Sequence, residues 1–164
     1  MGKTIVKLLA GLLVVVGAIG AVFLLGMRTK TPLVIDNVRR VNRGVTNKRV
    51  LRSAGTAGAS ASVIHHVGRS SGRDYATPIG SMATEGGYLV ALPYGPRADW
   101  VKNVLAAGRA TLVHDGTTYT VDEPTVVPTA TVTSELPASE LRTLRLFNVV
   151  DCLRLRAVEA ASDR

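Results

Sequence analysis

Residues 68–78, with the sequence GRSSGRDYATP, form the densest cluster of polar side chains in the chain. Two arginines and two serines (Arg69, Ser70, Ser71 and Arg73) lie within six residues that begin with a glycine. Arginine can donate paired hydrogen bonds to a phosphate or a carboxylate, and a glycine-rich turn exposes backbone N–H groups to an anion. The pattern therefore indicates an anion-binding loop, and the alternative is a polar hairpin loop that binds nothing.

Residues 94–103, YGPRADWVKN, run from a loop into the first turn of a predicted helix. Backbone N–H groups and the helix dipole favour anions at such a position, and Arg97 and Lys102 add positive charge. Trp100, the only tryptophan of the chain, is either part of the core or a wall for a planar ligand. This segment therefore predicts a second anion-binding element.

The pattern G-x-S-x-G at residues 68–72 is typical of a hydrolase nucleophile elbow. Ser70, Asp99 and His114 even follow one another in the order of a hydrolase triad. A nucleophile elbow must lead into a helix, however, whereas residues 73–78 are predicted to be extended and contain a proline. The body of the chain is also too short for a hydrolase sheet. We therefore exclude a serine hydrolase.

The three histidines do not indicate a metal site. His65 and His66 are adjacent on a predicted strand, so their side chains point to opposite faces. No carboxylate or cysteine lies at ligand spacing from them or from His114, and the single cysteine, Cys152, excludes a four-cysteine zinc site. We expect no metal, and we expect Cys152 to be a small buried apolar residue.

The elements that must position these loops are mostly strands. Apolar periodicity and turn residues predict strands at 62–67, 74–83, 88–93, 109–114, 117–123, 126–132 and 149–158, and helices at 99–107 and 137–147. No β-α-β alternation runs through the chain, which excludes a doubly wound parallel sheet. We therefore predict an α+β fold that is mainly antiparallel β, with a barrel or sheet and a few covering helices.

An uncharged apolar run occupies residues 8–27. A helix of about twenty residues rises about 30 Å, which is the thickness of the hydrocarbon core of a membrane. We predict an uncleaved transmembrane helix, and the alternatives are a cleaved secretory signal and a buried core helix. Two lysines precede the run and eight Lys or Arg follow it by residue 52, so the positive-inside rule predicts a single-pass protein whose body faces the cytoplasm.

The positive charge lies in the first third of the chain. Residues 1–52 contain ten Lys or Arg and one acidic residue. Residues 53–164 contain ten Lys or Arg and eleven acidic residues. A nucleic-acid-binding protein would carry its basic face on the folded domain, so we exclude nucleic acid as a partner. A basic stretch that follows an apolar run favours a membrane surface instead, and we expect the lipid bilayer to be a partner.

Three regions follow from these patterns. Residues 1–30 are predicted to be a membrane anchor, residues 31–61 a basic juxtamembrane helix and a linker, and residues 62–164 the β domain. In the second region, apolar residues recur at helical spacing between residues 34 and 45, with arginines among them. This predicts an amphipathic helix beside the membrane.

Several of these segments, in this order and at this spacing, resemble the deazaflavin-dependent nitroreductase family. They are HVGRSSGR at 66–73 followed by Thr77 and Pro78, GYLVA at 87–91, WVKNV at 100–104 and ATLVH at 110–114. The resemblance covers about residues 60–158. It implies a split β-barrel related to the barrels that bind flavin mononucleotide. It also implies that the chain binds coenzyme F-420, an 8-hydroxy-5-deazaflavin, or alternatively flavin mononucleotide.

The resemblance further implies a role for each segment. Arg69, Ser70 and Ser71 hold the acidic tail or phosphate of the coenzyme, and Arg73 belongs to the same loop. Thr77 and Pro78 lie along the deazaflavin ring. The far wall of the ring pocket is formed by Ala91, Leu92, Pro93 and Tyr94, and the helix end near the phosphate by Ala98, Asp99, Trp100, Val101, Lys102 and Asn103.

The activity that the resemblance implies is hydride transfer from the reduced coenzyme to an organic acceptor, such as a quinone or a nitro compound. No catalytic residue or general acid is evident from the sequence. A membrane anchor suits a lipid-soluble acceptor. Two alternatives stay open: a non-catalytic membrane-anchored module that binds a deazaflavin, a flavin or haem, and an oxidoreductase that uses flavin mononucleotide on the same barrel.

Overall fold

The computed structural model describes residues 2–41 and 47–160. Its helices are α1 (Gly2–Arg28), α2 (Pro32–Val41), α3 (Asn47–Val50), α4 (Asp99–Ala107) and α5 (Ala138–Leu146). Its strands are β1 (Ser62–Val67), β2 (Asp74–Ile79), β3 (Ser81–Thr84), β4 (Gly87–Ala91), β5 (Arg109–His114), β6 (Thr117–Pro128) and β7 (Asp151–Ala160). Residue 1 of the predicted anchor, residues 42–46 of the predicted juxtamembrane region and residues 161–164 of the predicted β domain lie outside the described residues.

The seven strands form one sheet in the order β2-β1-β5-β6-β7-β4-β3. Every neighbouring pair in this order is antiparallel. The prediction of an α+β fold that is mainly antiparallel β is therefore confirmed.

Three predicted strands, at 74–83, 117–123 and 126–132, were wrong in their boundaries. Residues 74–83 do not form one strand, because the chain leaves one edge of the sheet after Ile79, passes Gly80 and enters the opposite edge at Ser81. The predicted strands 117–123 and 126–132, in contrast, lie in the single strand β6, which ends at Pro128 and is followed by a 3₁₀ turn at Thr129–Thr131. A β-bulge after Asp122 shifts the register between β6 and β7, and Glu123 absorbs it with a φ of 47°.

Contacts between distant strands of the sheet show that it curls into a half-barrel. The hydroxyl oxygen of Ser81, on edge strand β3, lies 2.7 Å from that of Ser62 on β1 and 3.0 Å from Nδ1 of His114 on β5. The Ser62 hydroxyl lies 2.8 Å from the same histidine nitrogen. Because β1 and β5 are near the other end of the strand order, these three polar side chains bring the two ends of the sheet together.

Two clusters of buried side chains lie on opposite faces of this sheet. Val90 of β4 packs in the cluster that contains Val104 of α4, and its neighbour Leu89 packs in the cluster that contains Leu144 of α5. Adjacent side chains of a strand point to opposite faces, so the two clusters lie on the two faces of the sheet. Cys152 belongs to the second cluster and is fully buried, as predicted. Each long helix of the β domain therefore covers one face of the sheet.

The N-terminal helices form a sharply bent pair. Within the described residues, no single helix is long and apolar enough to cross a membrane, although residues 12–28 and 32–41 pass by length and composition as a pair bent by 103°. A Cβ atom on Gly26 would overlap the side chain of Val34, so the close approach of α1 and α2 requires glycine there. Large apolar side chains such as Leu13 and Val14 of α1 are more than 70% exposed.

Basic side chains at the end of α1 and just after it fix this pair to the β domain. Nη1 of Arg28 donates hydrogen bonds to the carbonyl oxygens of Arg145 and Leu146, at 2.9 and 2.7 Å. Nζ of Lys30 donates to the carbonyl oxygen of Pro93, at 2.8 Å. These groups satisfy carbonyls at the C-terminal end of α5 and after β4. These contacts pack the end of α1 and the residues that follow it against the β domain.

Candidate functional site

A cavity of about 810 Å³ lies between the β1–β2 loop, the β2–β3 junction, the segment from β4 to α4, and helices α2 and α3. Its size is in the range of small-molecule sites, about 300–1,000 Å³. Most of the residues predicted to bind a cofactor line this cavity: Arg69, Ser70, Ser71, Thr77, Pro78, Ala91, Leu92, Pro93, Tyr94, Ala98, Asp99, Trp100 and Asn103. The two polar loops singled out in the sequence therefore face the same space.

Three residues of the same prediction lie elsewhere. Val101 is fully buried in the core beneath α4, because it occupies the inward face of that helix. Arg73 and Lys102 are exposed and are not among the residues that line the cavity. The structure therefore does not bring these three side chains to the predicted site.

The loop between β1 and β2 is a tight turn that presents its serines to the cavity. The N–H group of Gly68 donates to the carbonyl of Arg73, and the N–H group of Gly72 donates to the carbonyl of Gly68, both at 2.8 Å. A Cβ atom on Gly68 would overlap Ser71 Oγ and lie 2.7 Å from the ring of Tyr75. A side chain at position 68 would therefore displace the side chains of Ser71 and Tyr75.

Arg69 connects this turn to the first turn of α4. Its Nη1 donates to the side-chain oxygen of Asn103 at 2.9 Å, and its backbone N–H donates to the same oxygen at 3.2 Å. Nη2 lies 3.3 Å from a carboxylate oxygen of Asp99. The guanidinium is therefore already engaged by two groups of the protein. It fixes the loop against the helix and offers a ligand only part of its charge.

His66 is a site residue that the sequence analysis did not assign to the cavity. It lines the cavity, is 7% exposed, and its ring stacks on Tyr75 with the ring centres 5.7 Å apart. Its Nε2 lies 3.1 Å from Thr77 Oγ1, and its Nδ1 lies 3.2 Å from Nδ2 of Asn103. The exposed neighbour His65 points to the other face, as the predicted alternation requires. That alternation was the signal that could have identified His66.

The hydrogen bonds of His66 determine which of its two ring nitrogens carries the proton when the ring is neutral. Because the side-chain oxygen of Asn103 accepts from Arg69, the amide nitrogen of Asn103 is the group that faces His66 and donates to its Nδ1. The proton of the neutral ring therefore lies on Nε2, which donates to Thr77. Burial lowers the pKa of His66 below its ordinary value of 6.5, and the charge of His65 lowers this pKa further.

We expect His66 to make the free energy of unfolding depend on pH. Because its pKa is lower in the folded state, the unfolded chain binds more protons as the pH falls below the ordinary value of 6.5. The stability contributed by neutral His66 is complete above that value and is lost as the pH falls toward the folded-state pKa. The loss for one such group is at most about 1.4 kcal/mol per pH unit.

Urea denaturation at a series of pH values from neutral to mildly acidic measures this dependence. The His66→Gln variant should lose less stability than the wild type over that interval. The matched control is His65→Gln, at the exposed neighbouring position, which should keep most of the wild-type slope because burial, the larger cause of the lowered pKa of His66, is unchanged. Equal slopes for His66→Gln and the wild type would contradict the prediction.

Arg39 of α2 also lines the cavity, together with Asn47 and Leu51. Its Nη2 donates to the carbonyl oxygen of Tyr94 at 2.9 Å. Its Nε is buried and has no hydrogen-bond partner among the described residues. A buried donor without a partner costs about 1–3 kcal/mol, so an acceptor brought by a ligand would be favourable there. Sequence analysis assigned this helix to the membrane surface and therefore did not place Arg39 in the site.

The electrostatics of the cavity favour an anion. Its charged lining residues are Arg39, Arg69 and Arg97 against one carboxylate, Asp99. Ala98 at the N-cap of α4 has no side-chain hydrogen bond to the helix, so no side chain at that position occupies the N–H groups of the first turn. Trp100 lines the cavity and also packs against the core.

Comparison with known proteins gives the chain no family. No protein-family model matches it, and no curated protein matches it. Thirteen chains of solved structures do match. One is 13% identical, with 66% of this chain and 76% of that chain covered and a TM-score of 0.39. Another, a protein of unknown function from Agrobacterium tumefaciens, is 11% identical, with 70% of this chain and 55% of that chain covered and a TM-score of 0.46. The matched region thus spans about half of that protein, and neither match assigns a function.

Proposed function

We propose that the chain binds coenzyme F-420 in the cavity and passes hydride from the reduced coenzyme to an organic acceptor, such as a quinone or a nitro compound. The observation that supports this proposal is that residues of three segments of the resemblance, 66–73, 87–91 and 100–104, line one cavity of about 810 Å³ together with Thr77 and Pro78. Three guanidinium groups and one carboxylate line that cavity, which favours a ligand with an acidic group. The proposed activity is that of a deazaflavin-dependent oxidoreductase.

The lining of the cavity fits a ligand that has both a planar and an acidic part. Pro78, Leu92 and Pro93 offer apolar surface to a ring, and Arg39 and Arg69 offer charge to a phosphate or carboxylate. When bound, the reduced coenzyme supplies the hydride. The task of the protein is to hold the ring and the acidic tail in place and to keep water away from the reacting face.

We also propose that the curled sheet is a split β-barrel related to the barrels that bind flavin mononucleotide. Ser62, Ser81 and His114 join distant strands through hydrogen bonds, as closure of a barrel requires. Flavin mononucleotide is therefore the alternative cofactor, and a test of coenzyme binding must include it.

A membrane anchor formed by residues 1–30, with the body in the cytoplasm, is part of the same proposal. Exposed apolar side chains of α1 support the anchor, and the basic residues at and after its C-terminal end, beginning with Arg28 and Lys30, support this orientation. Leu33 and Val41 of α2 are also exposed, beside arginines, as in a helix that lies on a membrane surface. The cavity, which α2 helps to line, would then be near a lipid-soluble acceptor.

Titration of the full-length protein in detergent with oxidised coenzyme F-420 tests the proposal. Trp100 is the only tryptophan and lines the cavity, so its fluorescence should be quenched in a saturable manner as the coenzyme binds. Flavin mononucleotide and haem serve as competing ligands in parallel titrations. Saturable quenching by one of these two and not by coenzyme F-420 would replace the proposed cofactor. No saturable quenching by any of the three would contradict the proposal.

A further inference from the structure

Among the arginines that line the cavity, Arg39 is the one that comes from outside the predicted β domain. We propose that Arg39 binds the acidic group of the ligand, a phosphate or a carboxylate, and that α2 is therefore part of the binding site. The inference rests on the proposed function for the identity of the ligand and adds to it the residue that recognises the ligand's charge. The juxtaposition that supports it is a buried guanidinium N–H without a partner beside a cavity of about 810 Å³.

The state of the other arginines favours Arg39 for this role. The guanidinium of Arg69 already donates to Asn103 and faces the carboxylate of Asp99, so an incoming anion would compete with both. Arg97 is exposed, and water weakens its attraction for an anion. The exposed fraction of the Arg39 side chain is 29%, so its attraction for an anion is less screened.

The acid nearest to Arg39 leaves its guanidinium available. Nη1 of Arg39 lies 3.6 Å from a carboxylate oxygen of Asp36, which is beyond hydrogen-bond distance. The side chain of Asp36 is 66% exposed, so water screens this ion pair. An anion in the cavity can therefore accept a hydrogen bond from Nε of Arg39 without breaking a hydrogen bond to Asp36.

The position of Arg39 is fixed by hydrogen bonds that join the N-terminal helices to one wall of the cavity. Nη2 of Arg39 donates to the carbonyl of Tyr94, and Nζ of Lys30 donates to the carbonyl of Pro93. These two adjacent carbonyls belong to the segment that forms one wall of the cavity. Ile35, which lies one turn before Arg39 on α2, is buried. The helix is therefore held against the wall, with Arg39 directed to the site.

The test compares two variants of the full-length protein in detergent. Arg39→Gln removes the charge, and Arg40→Gln removes the charge of the adjacent, exposed arginine, which does not line the cavity. Each protein is titrated with two probes: oxidised coenzyme F-420, and its ring nucleoside, which lacks the phosphate and the acidic tail. Thermal unfolding of each variant verifies that it is folded, and Arg39→Lys tests whether a charge alone restores binding.

The proposal predicts a difference between the probes. Arg39→Gln should weaken binding of coenzyme F-420 by about tenfold to a hundredfold, because a charge-assisted hydrogen bond is lost. It should leave binding of the ring nucleoside within about twofold of the wild type, because that probe lacks the phosphate and the acidic tail that Arg39 is proposed to bind. Arg40→Gln should change neither affinity, and Arg39→Lys should retain part of the affinity for the charged probe.

Other outcomes would overturn the inference. Unchanged affinity for coenzyme F-420 in Arg39→Gln would exclude Arg39 from the ligand's acidic group. Equal weakening of both probes would make Arg39 a support of the Tyr94 wall and not a binding residue. If the wild type binds flavin mononucleotide and not coenzyme F-420, the proposed coenzyme fails, and the same comparison of flavin mononucleotide with riboflavin decides the role of Arg39. A wild type that binds none of these probes overturns both proposals.

Discussion

Replacing Gly80 with leucine is expected to weaken binding of oxidised coenzyme F-420 by about a hundredfold, the upper end of what overpacking a close-fitting site costs. Gly80 joins the two edge strands and lines the cavity beside Thr77 and Pro78. A Cβ atom at this position meets no atom within 4 Å, and the φ of Gly80 lies outside the left-handed region. The leucine side chain can therefore enter the space of the ligand without straining the backbone.

The matched control for this variant is Ala83→Leu. Ala83 lies on β3, only three residues further along the chain, but is exposed and does not line the cavity. Both variants should unfold at nearly the temperature of the wild type, and only Gly80→Leu should lose the quenching of Trp100 fluorescence. Wild-type affinity in a folded Gly80→Leu protein would place the ligand elsewhere.

Local patterns predicted the elements of the β domain because each pattern depends on neighbouring residues. In β1, the side chains of Ile64, His65 and His66 alternate between buried and exposed, as the strand prediction requires. The turn at Asp115 and Gly116 was predicted from residue type, and both residues have a positive φ, as a two-residue hairpin turn needs.

Strand order could not be predicted in the same way. The pairing of β4 with β7 joins residues more than sixty positions apart, and no local periodicity encodes such a partner. The division of residues 74–83 was also missed, because Gly80 permits a change of sheet edge but does not require one.

The residue types of the two polar segments, 68–78 and 94–103, predicted that each lies at a binding site. The contacts between these segments depend on the fold and could not be predicted. Arg69 lies in the β1–β2 loop and Asn103 lies on α4, and the structure places a hydrogen bond of 2.9 Å between their side chains. Arg39 could not be predicted to line the cavity, because α2 is attached through backbone carbonyls, such as that of Tyr94, which every residue possesses. The sequence of such a helix shows only an amphipathic pattern, and this pattern is the same for a helix packed on a protein and for a helix on a membrane surface.

Turnover distinguishes an enzyme from a module that only binds the coenzyme. We expect the full-length protein to catalyse oxidation of reduced coenzyme F-420 by a quinone, a nitroaromatic compound or an unsaturated ketone, seen as loss of the absorbance of the reduced coenzyme. Arg69→Ala should lower kcat/KM by about tenfold to a hundredfold, because the loop that holds the coenzyme loses its charge-assisted bonds to Asn103 and Asp99. Arg109→Ala, at an exposed arginine remote from the cavity lining, is the control and should keep the wild-type rate.

Whether Arg69→Ala lowers kcat or only raises KM for the coenzyme separates the possible roles of Arg69. If Arg69 only positions the coenzyme, saturating coenzyme should restore kcat in Arg69→Ala, because the lost interaction is then made equally in the ground state and the transition state. A folded wild type that binds the coenzyme tightly and transfers hydride to none of the acceptors contradicts the oxidoreductase. Hydride transfer requires reacting atoms about 3–3.5 Å apart, so such a protein would have to cover the reactive face of the ring, as a sequestering module does.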